Sequence, residues 1–127
     1  MARDTLTDAR RLATLTDLRR QKCVAELARL DAQIEDLKHR IDRLLEERLA
    51  WSNAIGTLGN TARLSSGPRH WESYVSERVK EARMKEAALR ARRVRLAVTT
   101  HRASAQAEAV EEILKAAARH VRRRQNR

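Results

Sequence analysis

The glycines and the proline of this chain are confined to one short window, and this confinement constrains the fold most. They are Gly56, Gly59, Gly67 and Pro68 in a sequence of 127 residues. Glycine and proline are the strongest helix breakers, so each flank is free to form one continuous helix and the window to form the turn. The sequence predicts helix 1 over about 5–58, a turn over about 59–67 and helix 2 over about 68–124, as a single domain spanning 1–127. Thr5 with Asp8 resembles a capping box, and Pro68 suits the first turn of helix 2.

Apolar residues recur in the first helix at alternating spacings of three and four. Thirteen of the sixteen positions reached by these steps are apolar, and such a repeat forms a narrow seam that packs against a partner helix. The seam consists of Leu6, Ala9, Ala13, Thr16, Arg20, Cys23, Leu27, Leu30, Ile34, Leu37, Ile41, Leu44, Arg48, Trp51, Ile55 and Leu58.

A second seam, richer in alanine, follows the turn and supplies the partner helix. It consists of Val75, Val79, Ala82, Glu86, Leu89, Arg93, Leu96, Thr100, Ala103, Ala107, Val110, Leu114, Ala117 and Val121. The predicted fold is therefore all-α, with two long helices forming an antiparallel coiled-coil hairpin. Near the turn, Trp51, Trp71 and Tyr74 lie at similar distances from the bend, which predicts an aromatic cluster.

Charged residues interrupt both seams. In an antiparallel hairpin Arg48 and Glu86 would lie within about two turns of each other across the axis. They could form a buried pair that sets the register, but we favour the interpretation in which their long stems reach to the edge of the seam.

The sequence offers little for catalysis, and we predict that the chain is not an enzyme and has no cofactor. The four histidines are scattered, which argues against a metal site, and no phosphate-binding GxxxxGK[ST] motif occurs. Cys23 lies on the first seam and is predicted to be a core residue. Charged residues interrupt every apolar segment, so we expect no membrane insertion and a cytoplasmic location.

The formal charge of +11 is concentrated in the second half. Residues 1–58 carry 11 Lys and Arg against 10 Asp and Glu, whereas residues 59–127 carry 17 against 7. A surface of this charge attracts acidic proteins, nucleic acid or an anionic membrane, and electrostatics alone does not choose among them. Two basic runs stand out as contact surfaces, although such runs are often only solvated faces. The C-terminal run comprises Arg119, Arg122, Arg123, Arg124 and Arg127, and the secondary basic surface comprises Arg90, Arg92, Arg95 and Arg102.

Two segments carry a resemblance to a known family. The heptad-rich LARLDAQIEDLKHRIDRLLEERLAW of the first arm and the WESYVSERVKEARMKEAALRARR that opens the second, in a short helical hairpin, resemble the FliJ/SctO (YscO-like) stalk proteins of bacterial type III secretion. The resemblance lies in length, layout and pattern, and it covers nearly the whole chain.

The resemblance implies a non-catalytic central stalk of a type III protein export apparatus, flagellar or injectisome. Such a stalk is expected to be a monomer at the cytoplasmic face of the export complex. It would bind the hexameric export ATPase and couple it to the export gate, with substrate chaperones as further partners. By this analogy the paired termini enter the ring, and the candidate contacts are Arg3, Arg10, Arg11, Arg119, Arg122, Arg123 and Arg124.

Two other functions stay open from the residues. One is a free-standing coiled-coil adaptor or chaperone scaffold. The other is a helical protein that binds nucleic acid nonspecifically. A sequence-specific nucleic-acid binder is not expected, because the basic runs lack aromatic residues for stacking and the leucine repeat precedes them.

Overall fold

A computed structural model describes residues 2–58 and 66–127, with all their side chains except those of Leu58, Ser66 and Pro68. Helix α1 spans Ala2–Leu58 and helix α2 spans Ser66–Gln125. No residue within these two ranges belongs to a β-strand. The predicted all-α helical hairpin is therefore confirmed. Of the predicted turn over 59–67, residues 59–65 lie outside the described residues, and the last two belong to α2.

The start of α1 differs from the prediction. Helix α1 begins at Ala2, so Thr5 and Asp8 lie inside the helix and the predicted capping box is wrong. Gly56 lies inside α1 as well, in open space, and neither a bend nor a close contact requires a glycine there. Pro68 is the third residue of α2. It therefore lies in the first turn as predicted, where its missing N–H costs no helical hydrogen bond.

The chain contacts group into two compact units, each built from one segment of α1 and one of α2. The first unit comprises Met1–Arg29 and Arg93–Arg127, and the second comprises Leu30–Arg92. Each unit is described separately below. The single domain over 1–127 stays a prediction.

In the first unit, the N-terminal part of the first seam packs against the C-terminal part of the second seam. Its helix segments run antiparallel: Arg19 Nη1 donates to Gln106 Oε1 at 3.2 Å, and Ala13 lies with Leu114 beside one groove. Small residues such as Ala103, which is almost fully buried, allow the helices to approach closely. The buried residues of this unit all lie on the predicted seams: Leu6, Ala9, Cys23, Thr100, Ala103 and Val110.

The second unit has a core centred on Val75, which is 0% exposed. Val75 forms a cluster with Ile41, Val79 and Ala82, and partly buried Leu37, Leu44, Leu45 and Trp71 pack against it. The pairing is antiparallel here too, because Trp51, late in the α1 segment, contacts Trp71, early in the α2 segment. Leu45 and Trp71 are the two contributors that the 3-4 spacing does not predict.

The charged seam residues reach the edge of the helix pair. Arg20 and Arg48 are exposed, and the Arg20 guanidinium bonds Asp17 on its own helix, with Nη2 at 2.6 Å from Oδ1. Glu86 Oε1 accepts from Arg90 Nε at 3.1 Å, also within one helix. Glu86 is thus engaged on α2, as expected if the long stems extend to the edge of the seam.

Thr100 is a buried polar residue, and we expect a Thr100→Val substitution to raise the stability by up to about 1 kcal/mol. Its hydroxyl donates to the Leu96 carbonyl oxygen at 2.8 Å, a bond within the helix that contributes little, whereas the added methyl group would be buried on the seam. The midpoint of urea unfolding, followed by circular dichroism, measures the change. The matched control is Thr99→Val, which removes a similar bond from an exposed position. A clear loss of stability in Thr100→Val alone would contradict the expectation.

Candidate partner-binding site

The first unit contains both chain ends, and its register places them level with each other. The Arg19–Gln106 bond fixes which turns of the two helices are opposed. Two heptads toward the termini from this bond are Thr5 on α1 and His120 on α2. Because the pairing is antiparallel, the arginines around these positions lie at the same end of the unit.

The seven candidate arginines at this end all have exposed side chains. Helix position separates them into groups. Arg3 and Arg10 are one heptad apart, on the side of the pair opposite the Arg19–Gln106 bond, and Arg123 lies on the side of that bond. The arginines therefore surround the end of the helix pair instead of forming one patch. The full set is Arg3, Arg10, Arg11, Arg119, Arg122, Arg123 and Arg124.

The electrostatics of this end are strongly positive. The segment from Lys115 to Arg127 contains six cationic residues and no acid, and the first eleven residues add three arginines against Asp4 and Asp8. Among the residues that the structure describes, no ion pair engages the guanidinium groups of these seven arginines. Three of them lie in the last turn of α2, where positive charge also complements the helix dipole. The site can bind anionic groups without first breaking an internal pair.

The residues of the secondary basic surface belong to both units. Arg90 and Arg92 lie in the second unit, where Arg90 is paired with Glu86. Arg95 and Arg102 lie in the first unit, one heptad apart and therefore on the same side of α2. All four side chains are exposed.

The predicted aromatic cluster is confirmed in the second unit. The Trp51 and Trp71 rings lie 5.7 Å apart at 56°, and the Trp71 and Tyr74 rings lie 6.0 Å apart at 26°. Arg78 adds a cation–π contact at 5.2 Å from the Tyr74 ring, and its Nε donates to the phenol oxygen at 3.2 Å. Buried Trp71 Nε1 finds no hydrogen-bond partner among the residues that the structure describes. The cluster joins the two helices of this unit by ring packing.

Within the described ranges, no three His, Cys, Asp or Glu side chains converge as metal ligands. Cys23 is buried with a free thiol, as the core interpretation predicts. Neither described helix contains a stretch long and apolar enough to cross a bilayer.

Sequence reasoning missed an apolar surface outside the seams. Leu12, Leu15 and Ile113 are all exposed large aliphatic residues of the first unit. Their heptad positions flank the seam or face away from it, so the apolar repeat does not mark these three residues. Only the register of the two helices shows that they share one side of the pair.

The fold and charge distribution define the chain as an all-α helical hairpin with a basic terminal end. Comparison with protein families, curated proteins and solved structures finds no match.

Proposed function

We propose that this chain is a non-catalytic stalk component of a bacterial type III protein export apparatus. In this role the arginine-rich end of the first unit binds acidic loops of a hexameric export ATPase, and the protein couples the ATPase to the export gate. The proposal places the protein at the cytoplasmic face of the export complex, as a monomer.

One observation carries this proposal: the start of α1 and the last turns of α2 contribute exposed arginines to the same end of an antiparallel helix pair. An insertion into a ring requires a narrow end that presents charge around its circumference, and two paired helices supply it. The resemblance of the two arms to FliJ/SctO proteins supports the same role. The basic end also lacks acidic neighbours from Lys115 onward, which favours an acidic partner.

A free-standing coiled-coil adaptor is the second candidate. It is favoured by the exposed apolar residues of the first unit, because such side chains are often covered by a partner. Nonspecific nucleic-acid binding rests on net charge alone and would weaken steeply with salt.

The stalk proposal predicts that the purified chain raises the hydrolysis rate of the purified export ATPase by promoting ring assembly. Light scattering during size-exclusion chromatography should give the mass of one chain, 14.6 kDa. An adaptor should instead form a dimer and leave the hydrolysis rate unchanged. A dimer together with an unchanged hydrolysis rate would contradict the stalk proposal.

A further inference from the structure

One side of the helix pair in the first unit is marked by the Arg19–Gln106 bond. Arg19 and Gln106 each directly precede a seam position, so each flanks the seam of its helix. The bond between them joins the two helices along this side. Moving one heptad toward the termini leads to Leu12 on α1 and to Ile113 on α2. Because the helices are antiparallel, these two residues lie at the same level on the same side.

Neighbours one helical turn away extend this apolar surface. Leu15 lies three residues after Leu12, and Ala109 and Ala116 lie four before and three after Ile113, all within contact distance on a helix surface. We call these five residues the apolar flank. The exposed fractions are 46% for Leu12, 64% for Leu15 and 55% for Ile113. Single exposed aliphatic residues are common, but a group contributed by two paired helices forms a groove that fits a third helix.

The rim of the apolar flank is basic. Heptad steps from Leu15 along α1 reach Lys22 and Arg29 in one direction and Asp8 in the other. Within the first unit, heptad steps from the alanines along α2 reach only arginines, namely Arg95, Arg102 and Arg123. Glu112, beside Ala116, is paired with Lys115 at 3.5 Å. A ligand on this surface therefore meets cations on both helices. It also meets two acids for which the described residues supply no ion pair, Asp8 and Glu26, and Glu26 lies between Lys22 and Arg29 on α1.

We propose that the apolar flank is the docking site for an acidic amphipathic helix of a partner protein. The partner helix would place its aliphatic stripe between Leu12 and Ile113 and direct Asp and Glu side chains toward Lys22, Arg29 and Arg102. Apolar burial supplies the affinity, and the basic rim selects acidic over basic helices. The docking site does not depend on the export role, because any partner with this chemistry would bind it.

The test uses the full chain and a helical peptide of about three heptads, with Leu on one stripe and Glu on both flanks. We expect saturable binding in fluorescence anisotropy, and binding at least about tenfold weaker for the same peptide with Lys in place of Glu. A double Leu12→Gln, Ile113→Gln variant should also lose at least about tenfold in affinity, since it removes two apolar anchors. Lys22→Glu should weaken the Glu peptide and strengthen the Lys peptide.

Matched controls separate docking from general effects on the fold. A double Val24→Gln, Val98→Gln variant removes two apolar residues of the same unit that are each 50% exposed but lie off the flank, and it should bind as the parent does. Lys85→Glu, in the second unit, should leave the peptide preference unchanged. Circular dichroism should show equal helix content in all variants.

Three results would overturn the proposal. The first is no saturable binding of the Glu peptide up to about 1 mM. The second is equal loss of affinity in the flank and control variants. The third is a dimer of the parent chain that becomes a monomer in Leu12→Gln, Ile113→Gln, which would make a second copy the occupant of the flank.

Discussion

A Val75→Asp substitution is expected to separate the paired helices of the second unit and to lower the free energy of unfolding by about 3 kcal/mol or more. Val75 is fully buried at the centre of the cluster with Ile41, Val79 and Ala82, so an aspartate there would place an unpaired charge among apolar groups. Single domains are stable by only about 5–15 kcal/mol in total, so the loss is a large fraction. Helices of this kind depend on packing of the apolar face and have little stability alone.

Urea unfolding followed by circular dichroism at 222 nm, a wavelength that reports helix content, measures the effect. The matched control is Val94→Asp, the same change at a side chain that is 64% exposed, and it should cost no more than about 0.5 kcal/mol. Equal midpoints for Val75→Asp and Val94→Asp would show that Val75 does not lie at the centre of a packed core.

Reversal of three charges, Arg122→Glu, Arg123→Glu and Arg124→Glu together, is expected to weaken the contact with the export ATPase by about a hundredfold at low salt. The change replaces three cations with three anions at the end that carries the proposed contact. It replaces attraction to acidic loops with repulsion. Binding of the parent chain should fall as the salt concentration rises, since exposed charges are screened over about 8–10 Å at physiological ionic strength.

Two control variants make this result specific. The reversal also opposes the dipole of α2, at a cost of about 0.3–1 kcal/mol per charge, so a triple Arg→Gln variant measures the loss of positive charge without that opposition. It should show an intermediate affinity. Reversal of Arg40, Arg43 and Arg83, exposed residues of the second unit, makes the same change in net charge and should leave binding intact. Undiminished binding after reversal of residues 122–124 would locate the ATPase contact elsewhere.

The seams were predictable because helix periodicity decides which residues share a face. Steps of three and four from Leu6 and from Val75 reach the buried residues in both units. The exposed Arg20 and Arg48 were predictable for the same reason, since long charged stems on a narrow seam reach solvent within one side-chain length.

Local signals near the helix ends were less reliable. The capping box predicted at Thr5 and Asp8 lies inside α1, because the good helix formers around it extend the helix to Ala2. Gly56 belongs to the window of helix breakers that predicted the turn, yet it continues α1, inside the bounds of 5–58 predicted for helix 1. A glycine costs only about 1 kcal/mol in a helix, and its neighbours on the seam offset that cost.

Only part of the candidate site was predictable from the sequence. Exposure of the terminal arginines follows from their charge, and their meeting at one end follows from antiparallel pairing. The apolar flank could not be predicted, because Leu12 and Ile113 lie off both seams, on different helices and far apart in the sequence.

The amino-acid sequence by itself determined that the chain is helical, where its breakers lie and which face of each helix is apolar, since these depend on residues within a few turns of one another. The tertiary structure alone decided the register of the two helices. A shift of one heptad leaves both apolar stripes in contact, so the apolar repeat alone does not distinguish one register from the next. Contacts between the helices, such as that of Arg19 with Gln106, show which alignment is adopted, and this alignment places Leu12 and Ile113 at the same level on one side.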